Sequence, residues 1–391
     1  MNMSVSHPRA SRIAVLGTSL VQQNHIGNET SLATSARGWM SWAEVLSHGR
    51  LSCPVHHDPS APHGWEPGNR PGVSRFFSGL NFGVSGQKAI EIERRLPHLL
   101  QSDFDLIVVD AGTNDMMVET RQTIAGTRAR IASALLAAGK TVILLPILAR
   151  GIEKWPAGGA ERAKAHWINR QSIEFAASHA NCHVFDWNSA WLDPESEFGE
   201  PYTGYSNDGT HFSVLGGFAV GKLLADYLGT IVPRAPKRIL ARDDRFDPVN
   251  NPLGNLASDL SAQTTTESEQ QGHRLGGKLV HPGAGVWVEA ICDIDVPAHE
   301  GVLGISLRLK DVALEGPEAI ALGPFRADDG TLFPFPDTEW KGALRTPLLK
   351  LRPGDTEPEL YLDVILQPGS RPLGIDVSRI DVRPVSSPVR A

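Results

Sequence analysis

The sequence predicts an α/β unit built on a parallel sheet, followed by an all-β sandwich. Two observations carry this. Up to Leu228, short apolar runs ending in Gly and polar residues alternate with segments of helical length. Beyond it the apolar runs are short, rich in Val, Ile and Leu, bounded by Gly, Pro and Asp, and without a helical period. A chain of 391 residues fits two or three domains. The expected division is 1–232 for the α/β unit, 233–277 for a connector and 278–391 for the sandwich.

Ile13 to Leu16 reads as the first buried strand; it stops at Gly17 and delivers Ser19 into the turn that opens a helix. Open α/β sheets bind ligands at this carboxyl edge, and a first helix turn offers free backbone N–H groups to developing negative charge. Ser19 is therefore either a helix cap or a nucleophile. Trp39, Trp42, Val45 and Leu46 share one helical face and read as core. From Leu51 to Ser78 a Pro/Gly/His-rich loop follows, too long for a mere connection and suited to a lid. Its Cys53, His56, His57, Asp58 and His63 match no zinc spacing, so a solvated loop is expected and no metal.

Leu80 to Gly86 is a second short strand running into a glycine-rich turn, which either simply turns tightly or aims a backbone N–H at an oxyanion. An amphipathic helix over 89–100 follows. Phe104 to Asp110 is the clearest buried parallel strand and ends in Ala111-Gly112-Thr113-Asn114-Asp115. Asn114 starts the next helix or projects its amide into the same cleft. Helices near 120–138 and 160–179 and strands at 141–146 and 181–185 continue the alternation, which implies a parallel sheet covered on both faces. Before a last helix over 218–228, Asp208 and His211 stand three apart in a loop, close enough for the carboxylate to fix the imidazole tautomer. Ser19, Gly86, Asn114 and Asp208 with His211 thus all fall at strand-to-helix turns of one sheet.

Composition narrows the classes. A hydrophobic fraction of 41% with 21% charged residues is that of a soluble globular protein. No membrane span is expected, and Met1 to Ala10 holds no apolar core of signal-peptide length, so a cytoplasmic address is the default expectation. Three scattered cysteines argue against a disulfide framework. A net charge of -7 gives no support for nucleic-acid binding. There is no Walker-type Gly-Lys-Ser/Thr, no dinucleotide glycine pattern and no Gly-x-Ser-x-Gly elbow.

Four blocks, Gly17-Thr18-Ser19, Asn81 to Gly86, Gly112 to Asp115 and Asp208 to His211, stand in the order and with spacing compatible with the SGNH hydrolases, also called GDSL-type esterases and lipases. The resemblance covers about residues 10 to 230. It implies a flavodoxin-like three-layer fold with Ser19 as nucleophile and His211 as base, oriented by Asp208. It further implies an oxyanion hole made by the Ser19 and Gly86 backbone N–H groups and the Asn114 side chain, with no cofactor. One departure is visible: Thr18 stands where the family usually has Asp. The chemistry asks for these residue types, because a serine needs a base to take its proton and the resulting imidazolium needs a carboxylate. Ser85, the rival nucleophile, suits turn geometry better.

The second half opens with a basic, Pro-containing stretch, Pro233 to Arg242, and a polar Thr/Glu/Gln-rich stretch, Gln263 to Gln271. Apolar runs follow at 285–292, 303–309, 348–351, 359–366 and 373–382, and the last two resemble the closing strands of a carbohydrate-binding jelly roll. Trp287, Trp340, Phe333, Phe335 and Tyr361 are candidates for a sugar platform, although most such aromatics are core. The combined expectation is an esterase for an acylated small molecule or saccharide, with acetyl on a carbohydrate foremost. The alternatives are a lipase, aryl esterase or thioesterase of the same family, an acyltransferase, and a noncatalytic carbohydrate-binding or structural protein.

Overall fold

Period-two burial in the first strands decides the architecture. In β1 (Ser11–Gly17), Ile13 and Val15 enter one apolar cluster while Ala14 and Leu16 enter another. A strand buried on both faces must lie inside a sheet covered by helices on both sides. The computed structural model describes residues 10–23, 38–52, 81–234, 244–257, 265–266, 272–299, 301–310, 318–322, 325–326, 332–333, 340–346, 348–351, 358–366 and 369–386.

After β1 come α1 (Ser19–Gln22), α2 (Trp39–Leu46), β2 (Leu51–Ser52), β3 (Asn81–Gly83), α3 (Ala89–Glu93), α4 (Leu96–Leu100) and β4 (Leu106–Val109). A 3-10 turn, Thr113–Asp115, leads to α5 (Arg121–Ala137), β5 (Thr141–Leu144), α6 (Ala160–Ala177), β6 (Cys182–Val184), α7 (Asn188–Trp191) and α8 (Val214–Ile231). Every pairing in this sheet is parallel. The order is β2-β1-β4-β5-β6, with β3 beside β1 beyond the end of β2. On one face Trp39 of α2 and Val220, Leu224 and Leu228 of α8 pack on Ile13, Val15 and Val108. On the other, Ile92, Leu99, Ile131 and Leu135 pack on Ala14, Leu16, Ile107 and Val109. This is the three-layer α/β fold.

Three elements differ from their sequence reading. The helix expected over 89–100 is two helices, because Pro97, in the first turn of α4, has no N–H to continue the α3 ladder. The helix expected at 218–228 begins at Val214, where the Ser213 hydroxyl caps it by accepting from Gly216 N at 3.1 Å. By length and mean hydropathy α8 is long enough to cross a membrane, and here its Val220, Leu224 and Leu228 face lies in the core. Finally, Leu51 and Ser52, expected as loop, pair with Ser11 and Arg12. Residues 53–80, with Cys53, His56, His57, Asp58 and His63, lie outside the described residues.

The β-rich half comprises β7 (Thr265–Thr266), β8 (Gly272–Lys278), β9 (Trp287–Val296), β10 (Val302–Lys310), β11 (Glu318–Leu322), β12 (Phe325–Arg326), β13 (Leu332–Phe333), β14 (Trp340–Arg345), β15 (Leu349–Lys350), β16 (Glu359–Leu366) and β17 (Asp376–Val385). One antiparallel sheet runs β11-β10-β16-β8-β7; in the other, β9 pairs with β14, β15 and β17. Alternate residues of β9 (Val288, Ala290, Cys292, Ile294 and Val296) share a core with Ile305, Leu307, Leu362 and Val364, which makes a sandwich. The stretch 233–277, expected as a connector, supplies β7, β8 and the buried Leu256 and Ala257 to this half. Trp287 is only 7% exposed and is no platform. Tyr361 is half-buried with its hydroxyl on Glu359, while the side chains of Phe333, Phe335 and Trp340 lie outside the described residues.

The two halves are in contact. Val45 and Leu46 at the end of α2 pack against the sandwich core. Arg345 Nε donates to the Gly49 carbonyl at 2.9 Å, Ser52 Oγ to Glu289 at 2.6 Å, and Arg12 Nη2 to the Ser386 carbonyl at 2.5 Å. Arg12, and Ser52 paired with it on β2, lie near the amino end of β1, away from Ser19.

Candidate active site

The first turn is fixed by a buried acid. Thr18 is extended (φ −98°, ψ −154°) and caps α1, its hydroxyl accepting from Leu20 N at 3.4 Å. The same hydroxyl donates to Asp110 Oδ2 at 2.5 Å, and Thr18 N donates to it at 3.2 Å. Asp110 follows β4, the neighbour of β1, and is 1% exposed. Burial pushes its pKa up, against the Thr18 hydrogen bonds and the charges of Arg128 and Arg150. Thr18, the departure from the family pattern, is thus tied to a carboxyl from the next strand.

The second turn is laced to α1. Asn81 Nδ2 donates to the Val21 carbonyl at 3.1 Å, its Oδ1 accepts from Gly83 N at 2.9 Å, and Ser85 N donates to Gln22 Oε1 at 2.6 Å. A Cβ on Gly83 would stand 2.1 Å from Gln22 N, so only glycine allows this approach. Gly86 turns the chain at φ +79°. Two buried guanidinium groups tie the strand ends together. Arg95 donates to the carbonyls of Gly17 (2.9 Å) and Phe82, and Arg128 to those of Leu145 (2.6 Å) and Ala111. Burial pulls their pKa values down to about 9 and about 10.

The last turn brings the polar residues together. Asp208 Oδ1 accepts from Thr210 N at 2.9 Å and His211 N at 2.8 Å, and its Oδ2 lies 2.7 Å from His211 Nδ1. His211 Nε2 lies 2.9 Å from Ser19 Oγ, a contact between residues 192 apart in sequence. Burial opposes ionisation of Asp208, but the bonds from His211 and Thr210 outweigh it and hold its carboxyl well below the usual carboxylate range. Asn114, in the 3-10 turn, donates one amide hydrogen to the Gln87 carbonyl at 2.9 Å. Among the described residues, its second amide hydrogen and the backbone N–H groups of Ser19 and Gly86 meet no acceptor. No group of three His, Cys, Asp or Glu arranged to hold a metal occurs among the described residues.

Sequence reasoning missed Asp110, Arg95, Arg128 and Arg150. An acid closing the apolar run Leu106 to Val109 was the available signal for Asp110. The arginines lie on helices or in a loop, with no pattern to mark them.

Solved structures similar to the chain include a GDSL-like lipase from Bacteroides thetaiotaomicron, 15% identical over 56% of this chain and 89% of that one, with a TM-score of 0.40. They also include a carbohydrate esterase family 3 protein from Talaromyces cellulolyticus (18% identity, 57% and 98% coverage, TM-score 0.37). A third is the psychrotrophic esterase EstA from a Pseudoalteromonas species (14% identity, 56% and 98% coverage, TM-score 0.39). No curated protein matches the sequence. The family model of the GDSL-like lipases and acylhydrolases matches residues 15–217, more than half of the chain and the whole span from Ser19 to His211. The chain belongs to the GDSL-like Lipase/Acylhydrolase family.

Proposed function

We propose that this chain hydrolyses carboxylic esters through an acyl-enzyme on Ser19, with acetyl groups on a saccharide as the substrate. The observation that carries the mechanism is the unbroken hydrogen-bond chain from Asp208 through His211 to Ser19. In the proposed reaction Ser19 Oγ attacks the ester carbonyl while His211 Nε2 takes its proton, and ionised Asp208 stabilises the imidazolium. The oxyanion is met by Ser19 N–H, Gly86 N–H and the free Asn114 amide hydrogen. Collapse breaks the ester C–O bond, and His211 returns its proton to the leaving alcohol. Water, deprotonated by the same imidazole, then releases the acid and restores Ser19.

The saccharide rests on the appended sandwich and its likeness to carbohydrate-binding jelly rolls. A second reading, an apolar acyl group, is favoured by Met117 and Val118, which follow the Asn114 turn and are 74% and 61% exposed. Hydrolysis of p-nitrophenyl esters from acetate to decanoate, with acetate release from acetylated oligosaccharides, tests both. Turnover of acetyl esters by the wild type and not by Ser19→Ala is expected. Equal activity of the two proteins would remove Ser19 from the chemistry, and a preference for decanoate would favour the apolar acyl group.

A further inference from the structure

Arg150 is a cation at this sheet edge for which the proposed reaction has no use. It follows β5 as Ser19 follows β1, so it leaves the same carboxyl edge. Its Nη2 donates to Thr113 Oγ1 at 2.9 Å, and Thr113 immediately precedes Asn114. Its Cζ lies 5.4 Å from the centre of the buried Trp155 ring. The next residue, Gly151, donates its N–H to the Gly209 carbonyl at 3.1 Å, which sets Arg150 beside the loop holding Asp208 and His211. The guanidinium is half-buried and feels the charges of Asp110 and Asp208. Yet it forms no ion pair with a carboxylate among the described residues, and one of its donors alone is used there.

A guanidinium with unused donors, its Cζ 5.4 Å from an indole centre, suits a planar carboxylate taken by two parallel hydrogen bonds. The side of the cleft follows from the chemistry. His211 must hand its proton to the leaving oxygen, so the alcohol half of the ester lies on the His211 side. The Gly151–Gly209 bond holds the Arg150 backbone beside the loop of Asp208 and His211, and its guanidinium reaches from there to Thr113, next to Asn114. We propose that Arg150 binds a carboxylate carried by the alcohol half of the ester, so that the preferred substrates are esters of acidic alcohols such as O-acylated uronic acids. This rests on the ester-hydrolase reading above and adds the charge of the substrate to it.

The test uses two acetyl esters of nearly equal size, one with a charged and one with a neutral alcohol half, 4-acetoxybenzoate and 4-acetoxybenzamide, with the full-length wild type, Arg150→Gln and Arg150→Lys. The readout is the ratio of kcat/KM for the acid to that for the amide. Arg150→Gln is expected to lower this ratio by roughly tenfold or more, the loss typical of one charge-assisted hydrogen bond, and Arg150→Lys to recover part of it. A ratio that is the same in wild type and Arg150→Gln overturns the proposal. If both rates fall together at an unchanged ratio, Arg150 is a brace for the Thr113 turn and not a binding group. Failure of the folded wild type on both esters and on p-nitrophenyl acetate would instead count against ester hydrolysis itself.

Discussion

At the residue scale, the site is a set of donors and acceptors whose partners are separable by substitution. Asp208→Asn keeps the shape but loses the charge facing the imidazolium, and a fall in kcat on the order of 10⁴-fold is expected in steady-state ester hydrolysis. Asn114→Ala removes one of the proposed oxyanion donors and is expected to lower kcat by about 100- to 1000-fold with a smaller effect on KM. The buried Asp110 makes a prediction of a different kind. Its folded pKa is raised by burial, so the folded state holds the proton over a range where the unfolded chain has released it. Stability from this group therefore falls as pH rises from about 4, the unfolded carboxylate value, through the folded one. Asp110→Asn is expected to flatten that slope, so urea unfolding at a series of pH values should show the variant gaining on the wild type as pH rises.

At the element scale, the site depends on α1 staying locked to β3. Gly83→Ala would press a methyl group onto the Gln22 backbone and push α1, with Ser19, away from His211. A displacement near 1 Å is enough to cost about 100-fold in kcat, while circular dichroism should still report the α/β fold. The elements themselves were largely legible in the sequence. Strands such as Leu106 to Val109 are continuous apolar runs because both faces are covered, and their ends are marked by Gly17, Gly83 and Gly112. Strand β8 was not legible, because Gly272-His-Arg-Leu-Gly-Gly-Lys278 is stabilised by pairing with β16 rather than by its own pattern. The turns carrying Ser19, Gly86, Asn114 and His211 could be read off; that Ser19 meets His211 across 192 residues, and that Thr18 meets Asp110, is a matter of strand order in space.

At the scale of the whole molecule, the sandwich is joined to the α/β half by a half-buried polar knot. Glu289 and Arg345 form an ion pair with side chains 10% and 11% exposed, and each also bonds across the junction, Glu289 to Ser52 and Arg345 to Gly49. Removing one partner leaves the other charge half-buried and without its counter-ion. Glu289→Ala is therefore expected to cost about 1.5–3 kcal/mol in denaturant unfolding, with much of it regained when Arg345→Met is added. A loss in the double variant equal to the sum of the Glu289→Ala and Arg345→Met losses would show that the pair does not couple. The junction contacts of Arg12, and of Ser52 paired with it on β2, lie near the amino end of β1, about 17 Å from its carboxyl end at some 3.3 Å per residue, so their loss should act on stability before chemistry.

The most direct test of the central claim, that Ser19 is activated by His211, is labelling by a serine-directed phosphonate followed by intact mass and peptide mapping of the wild type and Ser19→Ala. One adduct on Ser19, absent from Ser19→Ala, is the predicted result. An adduct on another residue such as Ser85, or ester hydrolysis by a wild type that takes no label, would contradict it.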